Sequence, residues 1–511
     1  MGVNLYLASE YEYRRGLANR LLEEDIIDFC LADHFPWTES PDHDDRIVEV
    51  DHRPSANDEY KIVCDMNELP AVSKDLIERM QPYESMAIKM GMRFLNMPIT
   101  EYEEEKRKYL QHLRYWNYML DHYHINLIVT HNTPHSQGKY VVYALSRVKK
   151  IPMLIWDACG TFGQRRFWGD SLSSIGKSVG DRYLELTRKR VNDFVLEDDI
   201  INDYDILKNK VIISERKQYD TKIITDRATF YAKSYKDKRR RYIYQYFRQI
   251  CRSIIKTRSL DLFNQNRQWF RICRRRFYAY QYYKRHLECP ISEYNKIAKT
   301  ADMTQRYIVF FLQVFPEANV MPRAGVFSEQ YNSIQLLARA ADRCGVYVYV
   351  KEHPHNPGRS WDFYDEIRYI RNVILIKTNV LSQELIENSL GVATQSGTCI
   401  WEAISLKKPV FAFGNAHYWK HCPGVIDIVD EEQGESVIRK AIEGIKIEEA
   451  DIKRYLFAIQ LETLKEVNPE EEIMRVMDNS YKIPEFDLSD RVRLIKSFIS
   501  QSVDCERLYN D

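Results

Sequence analysis

The chain has 511 residues, which is too long for a single hydrophobic core and indicates two domains with additional elements. Hydrophobic residues make up 44% and the formal net charge is zero, so this is a folded globular protein whose overall field attracts neither nucleic acid nor a bilayer. The ten cysteines form no CxxC pair, no apolar run reaches the roughly 18 residues of a membrane span, and no signal-peptide pattern is present. We therefore expect a cytoplasmic protein with reduced thiols.

The N-terminal part predicts an α/β domain over residues 1–170. Apolar runs that are typical of buried strands alternate there with helical patterns. The predicted strands are Val3–Ala8, Ile62–Met66, Ile125–Thr130 and Ile151–Trp156.

Residues 171–300 differ in composition and predict a helical insertion or linker. Thr221–Pro290 holds nineteen Lys or Arg against four Asp or Glu, interleaved with many aromatic residues. Such a segment could lie at an anionic membrane surface, peripheral at the inner face of the membrane, or it could be a solvated helical hairpin packed on the first domain. Nucleic acid is not an expected partner, because no recognised binding module surrounds the segment.

From Tyr307 onward the alternation of apolar runs and helical patterns is clearer, and it predicts a second α/β domain over residues 301–480. One predicted helix, Glu329–Arg343, places its apolar residues on one face, with Ser328 as the N-terminal cap and Gly345 at the end. A helical tail over residues 481–511 could return to the first domain. The fold class is therefore α/β, with two Rossmann-like domains facing a cleft and an added basic helical segment.

The segment Gly391–Gly414 predicts a buried strand, a turn of small residues, a short helix and a second buried strand. Ser396, Gly397 and Thr398 open the helix, so their backbone N–H groups and hydroxyls could bind a phosphate. Glu402 follows one turn later, where its carboxylate could bind a ribose. The simpler alternative is a helix cap followed by a surface glutamate.

Two further polar loops follow predicted strands of the second domain. His353 lies in a His-Pro step after VYVYVKE and could donate a hydrogen bond to a nucleotide phosphate. Gln313 and Glu317 follow YIVFF and could bind a base or a sugar. Because the carboxyl ends of parallel strands meet at one edge of a sheet, these loops should converge with the Ser396–Thr398 turn.

These three stretches resemble the nucleotide-sugar domain of capsule or surface polysaccharide biosynthesis proteins, a group of GT-B glycosyltransferases that includes the bacterial Kdo transferases. The resemblance covers about Tyr307 to Val429, and it implies donor binding by His353, Ser396, Thr398 and Glu402. The chain departs from the aromatic, Gly-rich segment that many relatives have after the last strand, since it has FGNAHYWKHCPG there. This departure leaves the sugar and base of the donor open.

In such a two-domain transferase the first domain supplies the acceptor base. His131 and His135 follow the Ile125–Thr130 strand, Asp157 follows Ile151–Trp156, and a neutral His or an ionised Asp can accept a proton from a sugar hydroxyl. A polar strand end or a helix cap is the alternative for each of them. The competing candidates are Glu10 and Glu12, which follow the first strand.

No metal and no cofactor are expected. The acidic clusters at residues 42–44 and 197–199 are explained as charged surface loops, and the histidines at 122, 124, 131 and 135 lack a tetrahedral ligand pattern. The leading hypothesis is a glycosyltransferase that moves a sugar from a nucleotide-sugar donor to a surface polysaccharide or a lipid-linked glycan. The alternatives are a CDP-glycerol-type glycerophosphotransferase and a catalytically silent GT-B scaffold that binds glycan or assembly partners.

Overall fold

The computed structural model describes residues 2–9, 16–33, 44–50, 69–94, 102–159, 161–190, 193–208, 289, 291–313, 320–353, 359–414, 419–466 and 485–509. Several predictions lie outside these residues: the Ile62–Met66 strand, the candidates Glu10, Glu12 and Glu317, and all of the basic segment except Cys289. No helix in the described part of the chain combines the length and apolar character needed to cross a membrane.

The first unit is built on a seven-stranded sheet with the order β13-β6-β5-β4-β1-β2-β3. Strands β1 to β5 are parallel, with Leu5 of β1 opposite both Cys30 and Leu127, whereas β6 is antiparallel to β5 and to β13. The strands are β1 Asn4–Leu7, β2 Phe29–Asp33, β3 Ile47–Val50, β4 Leu127–Thr130, β5 Met153–Cys159, β6 Phe162–Gly169 and β13 Leu464–Lys465. The helices of this part are α1 Leu17–Glu23, α2 Lys74–Phe94, α3 Tyr102–His122, α4 Gln137–Lys149, α5 Lys177–Leu186 and α6 Asp198–Lys208.

The second unit contains a six-stranded, fully parallel sheet with the order β12-β11-β10-β7-β8-β9. Its strands are β7 Tyr307–Phe311, β8 Tyr347–Lys351, β9 Val373–Ile376, β10 Val392–Thr394, β11 Val410–Ala412 and β12 Val425–Asp427. The later helices are α7 Ile291–Ile297, α8 Gln330–Asp342, α9 Trp361–Arg368, α10 Ser382–Asn388, α11 Cys399–Ser405, α12 Glu431–Glu443, α13 Glu449–Glu462 and α14 Glu485–Tyr509. Both units have the strand order of a Rossmann fold, and the predicted fold class is confirmed.

Helix α8 shows how the sequence builds a layer of the second unit. The predicted apolar face is buried against the sheet, because Ile334, Leu337 and Ala338 are all fully inaccessible to solvent. Gly345 lies just beyond the helix with a φ of 66°, a backbone conformation that favours glycine. The predicted cap is wrong by one residue, since the side chain that accepts from the first turn is that of Glu329 rather than Ser328.

The two units pack against each other through aromatic residues. Phe162 of β6 meets Trp401 of α11 edge-to-face, with ring centroids 5.0 Å apart. The ring of Tyr455 of α13 also contacts Trp401, with the centroids 6.1 Å apart. Helix α11 is thus held directly beside the hairpin formed by β5 and β6.

Helix α14 packs on the first unit. Val492, Ile495 and Phe498 join the apolar cluster that also contains residues of α1, β1 and β2. The Lys496 ammonium reaches the Glu24 carboxylate at 2.7 Å. The C-terminal helix therefore covers the face of the first sheet that carries α1.

Candidate functional site

The strand order brings three predicted loops to one edge of the second sheet. Strand β7 lies between β8 and β10, so Gln313, His353 and the Ser396–Thr398 turn follow the carboxyl ends of three adjacent strands. The chain reverses its winding direction between β7 and β10, and in open α/β sheets such a switch point is where ligands bind. The predicted convergence of these loops is therefore fulfilled by the topology.

Gln313 supports the turn after β10. Its buried side-chain amide donates to Thr394 Oγ1 at 2.8 Å, and its backbone N–H donates to Gln330 Oε1 at 2.8 Å. Gly397 has a φ of 103°, and a Cβ atom at this position would lie 2.7 Å from Gln313 Oε1. A glycine is thus required at 397, both by its backbone conformation and by the close approach of Gln313.

The turn itself presents one exposed hydroxyl. Helix α11 begins at Cys399, so the predicted turn residues precede the helix, and Thr398 is its capping residue without a side-chain capping bond. Thr398 is exposed, whereas Ser396 is buried and its carbonyl accepts from Thr394 Oγ1 at 2.7 Å. Glu402 is half-buried in the first turn of α11. Burial, with a smaller effect of the nearby Glu402, raises the pKa of the Cys399 thiol to about 12, so this thiol is neutral.

A buried ion pair fixes the loop that carries His353. Glu352 and Arg359 lie 3.1 Å apart with 1% and 6% of their side chains exposed, and the Tyr364 hydroxyl also donates to Glu352. The His353 backbone N–H donates to Glu352 Oε1 at 2.7 Å, and Arg359 donates to the Gln313 carbonyl at 2.8 Å. Burial opposes the charge of Arg359, but the Glu352 carboxylate keeps its pKa above the ordinary value. The loops after β7 and β8 are therefore tied together beside the half-buried His353.

This pair was not predicted from the sequence. Glu352 precedes the His-Pro step and resembles any charged residue at a strand end, and Arg359 lies seven positions later along the chain. Only the folded loop shows that they neutralise each other. A Lys-Glu-His run directly after a predicted buried strand was the available signal.

In the first unit, His131 lies at the carboxyl end of β4, as predicted. Its ring is buried, and its Nδ1 lies 3.1 Å from the indole Nε1 of Trp156. The indole N–H can only donate, so His131 Nδ1 is the acceptor and the imidazole carries its proton on Nε2.

Asp157 lies within β5 rather than after it, which corrects the predicted position. The predicted strand ends at Trp156, but β5 continues to Cys159 because β6 pairs with it in antiparallel register, Asp157 opposite Phe167. The carboxylate accepts from the Thr133 hydroxyl and from the Arg323 guanidinium of the second unit. Burial raises the pKa of Asp157, but Arg323 outweighs it, together with Thr133 and the nearby His135, so the pKa lies below the ordinary value.

His135 is exposed and close enough to Asp157 to act on its charge. His131, His135 and Asp157 therefore belong to one region, at the edge of the first sheet where Arg323 of the second unit makes contact. Arg323 and Thr133 were missed by the sequence reasoning, and the structure shows the Arg323 guanidinium donating to the Thr133 hydroxyl at 3.2 Å.

A second buried carboxylate at this edge was also missed. Asp33 ends β2, accepts from the Tyr6 hydroxyl at 2.8 Å and lies 3.5 Å from the Lys139 ammonium. Lys139 also donates to the Ala8 carbonyl at 3.1 Å. Strand β2 itself was not predicted, although the apolar run FCLA followed by an aspartate was its available signal.

The acidic cluster at 197–199 has a structural role. Glu197 and Asp199 both accept from the buried Arg165, at 2.7 and 2.8 Å, and Lys465 joins them. Among the described residues no group of three or more His, Cys, Asp or Glu side chains is arranged to hold a metal ion.

Residues 210–462 match the model of a family described as capsule polysaccharide biosynthesis protein. This part, just under half of the chain, is similar to that family. The match contains the whole second sheet and its site, and it confirms the resemblance found in the sequence. No curated protein matches the chain significantly.

Several solved structures are similar over most of the chain, at low identity. The UDP-GlcNAc 2-epimerase of Methanocaldococcus jannaschii, in complex with UDP-GlcNAc and UDP, is 10% identical, with 90% of this chain and 99% of that chain covered and a TM-score of 0.27. The β-Kdo 2,7 transferase KpsC of Thermosulfurimonas dismutans is 11% identical, with 80% and 98% covered and a TM-score of 0.30. The UDP-GlcNAc 2-epimerase of Neisseria meningitidis, bound to UDP-GlcNAc, is 12% identical, with 94% and 100% covered and a TM-score of 0.26. TM-scores this low carry no argument about the present chain.

Proposed function

We propose that the protein is a glycosyltransferase of capsule or surface polysaccharide synthesis, which moves a sugar from a nucleotide-sugar donor to a polysaccharide or lipid-linked glycan. The observation that carries the proposal is the meeting of Gln313, His353 and the Ser396–Thr398 turn at the switch point of the second sheet, within the part of the chain that matches the capsule family. A site of this kind suits the phosphates of a nucleotide.

The donor would lie along the edge of the second sheet. His353 and the Thr398 hydroxyl would donate hydrogen bonds to the phosphate, and Glu402 would accept from the ribose. Gln313 would act through Gly397 by holding the turn, since its amide already donates to Thr394. Rigid support of this kind keeps the donors in place as negative charge develops on the leaving phosphate.

The acceptor would approach from the first unit. His135 is the best-placed general base, because it is exposed and Asp157 lies close enough to stabilise its protonated form. It would take the proton of the acceptor hydroxyl as that oxygen bonds to the anomeric carbon and the bond from this carbon to the phosphate oxygen breaks. Asp157 is a weak base itself, since Arg323 and Thr133 already occupy its carboxylate.

Neither a metal ion nor a cofactor has a part in this proposal. The charge on the leaving phosphate would be balanced by imidazole, hydroxyl and backbone donors. A cytoplasmic location follows from the use of a nucleotide-sugar, and contact with an anionic membrane through residues 221–290 remains an additional prediction.

Nucleotide binding provides the first test. A ligand that binds only the native state and is present at about 100 times its Kd stabilises the protein by about 2.7 kcal/mol. We expect one of CMP, CDP, UDP and GDP to raise the melting temperature, and we expect His353→Ala to reduce that increase. The matched control is His122→Ala, which changes an exposed histidine on α3.

Product analysis provides the second test. The matching nucleotide-sugar should release its nucleotide in the presence of a glycan acceptor and add a sugar without phosphorus. Transfer of phosphorus to the acceptor would instead identify a glycerophosphotransferase. Nucleotide binding without turnover of any donor would favour the silent scaffold.

A further inference from the structure

The hydrogen bond between Trp156 and His131 determines which protonation state of this histidine the fold accepts. Trp156 Nε1 lies 3.1 Å from His131 Nδ1, and both side chains are buried. An imidazolium would carry a proton on Nδ1 as well, so that two N–H donors would face each other. The fold therefore favours neutral His131, with its proton on Nε2.

The indole is itself held by the C-terminal helix. The Arg491 guanidinium lies over the Trp156 ring at 5.9 Å from the centroid, and Arg491 is fully buried. Arg491 donates to Glu466 Oε1 at 2.7 Å, and Arg166 of β6 donates to the other oxygen of the same carboxylate. Helix α14 thus contributes to the position of a ring that contacts His131.

We propose that Trp156 is a positioning residue that keeps His131 neutral, so that His131 serves as a hydrogen-bond donor through Nε2 and not as the acceptor base. The two histidines after β4 then have different roles: His135 takes a proton, and His131 donates a hydrogen bond through Nε2. This inference rests on the proposed function only for the identity of the substrate, since the protonation state of His131 is a property of the fold.

The protonation of His131 can be measured without any substrate. Deuterium exchange at the imidazole Cε1–H, followed by mass spectrometry of the His131 peptide in the full-length chain, gives the pH at which this residue protonates. We expect Trp156→Phe to raise that midpoint by about one pH unit, the equivalent of one lost hydrogen bond. Trp168→Phe is the matched control, because Trp168 lies opposite Trp156 and its indole donates to the Glu462 carbonyl instead. An unchanged midpoint in Trp156→Phe would overturn the proposal.

A second measurement covers the case in which Trp156→Phe does not fold. In the unaltered protein, His131 should protonate at least about one pH unit below the ordinary midpoint of about 6.5. Protonation at the ordinary midpoint would overturn the proposal by itself.

Activity measurements distinguish a hydrogen-bond donor role of His131 from a role as base. His131→Gln places an amide N–H near the position of Nε2, so it should retain at least about tenfold more turnover than His131→Ala, since a donor is restored. An equal loss of turnover in both variants would contradict the role of His131 as a hydrogen-bond donor. The result of the exchange measurement does not depend on turnover. If no donor sugar is turned over at all, the proposed function fails and the exchange result still stands.

Discussion

Arg323→Met tests the ion pair that joins the two units at the candidate site. Arg323 of the second unit donates to the Asp157 carboxylate of the first unit, and the two side chains are 14% and 3% exposed. Removing one partner of a buried ion pair costs about 3–5 kcal/mol, because the other charge is left uncompensated. Asp157 would keep the Thr133 hydroxyl and the backbone N–H of Ala158 at 2.9 Å, so we expect the lower end of that range, about 3 kcal/mol at neutral pH.

The cost should depend on pH in a definite direction. In the unaltered protein the pKa of Asp157 is lowered, so the stability that it contributes is complete above the unfolded value of about 3.9 and is lost only as the pH falls through the folded value. In Arg323→Met, burial would raise the pKa of Asp157 without the opposing charge of Arg323, and only the smaller effects of Thr133 and His135 would lower it. The variant would then bind a proton more readily, and its deficit in the free energy of unfolding should shrink between neutral pH and about pH 5.

Urea unfolding followed by tryptophan fluorescence at both pH values measures this effect. Arg371→Met is the matched control, because it removes an arginine from an exposed pair with Asp342 and should leave the free energy of unfolding unchanged. Adding Asp157→Asn to Arg323→Met should recover part of the loss, since no unpaired charge remains. A deficit of the same size at both pH values, or one no larger than that of the control, would refute the reasoning.

Three other predictions concern single side chains. Gly345→Ala should destabilise the protein by roughly 1–2 kcal/mol, because its positive φ disfavours a side chain. Gly397→Ala should destabilise it by more, because the new Cβ would also displace Gln313. Urea unfolding of both variants measures the difference. Arg359→Met should cost about 3–5 kcal/mol by the same assay and weaken nucleotide binding, as it leaves a buried carboxylate unpaired beside the donor loop. His135→Ala should lower kcat by about 10²–10⁴-fold with the KM for the donor unchanged, and a normal kcat would exclude it as the base.

The sequence by itself was sufficient for the α/β class of the second unit. Apolar runs such as Tyr307–Phe311 and Val392–Thr394 alternate with amphipathic helices. This pattern is local in the sequence, and it predicts a parallel sheet without any information about distant segments of the chain. It also placed His353 and the turn at Gly397 at strand ends, because parallel strands share the direction of their carboxyl ends.

The tertiary structure alone decided what those side chains do. Asp157 proved to lie inside a strand, because its antiparallel partner β6 begins only three residues after β5 ends, and its carboxylate is paired with an arginine 166 positions away. The proton of His131 is placed by Trp156, and Trp156 is held by Arg491 from the far end of the chain. Hydrophobic periodicity is encoded over one or two turns of chain, whereas charge compensation and hydrogen-bond partners depend on which distant segments the packing brings together.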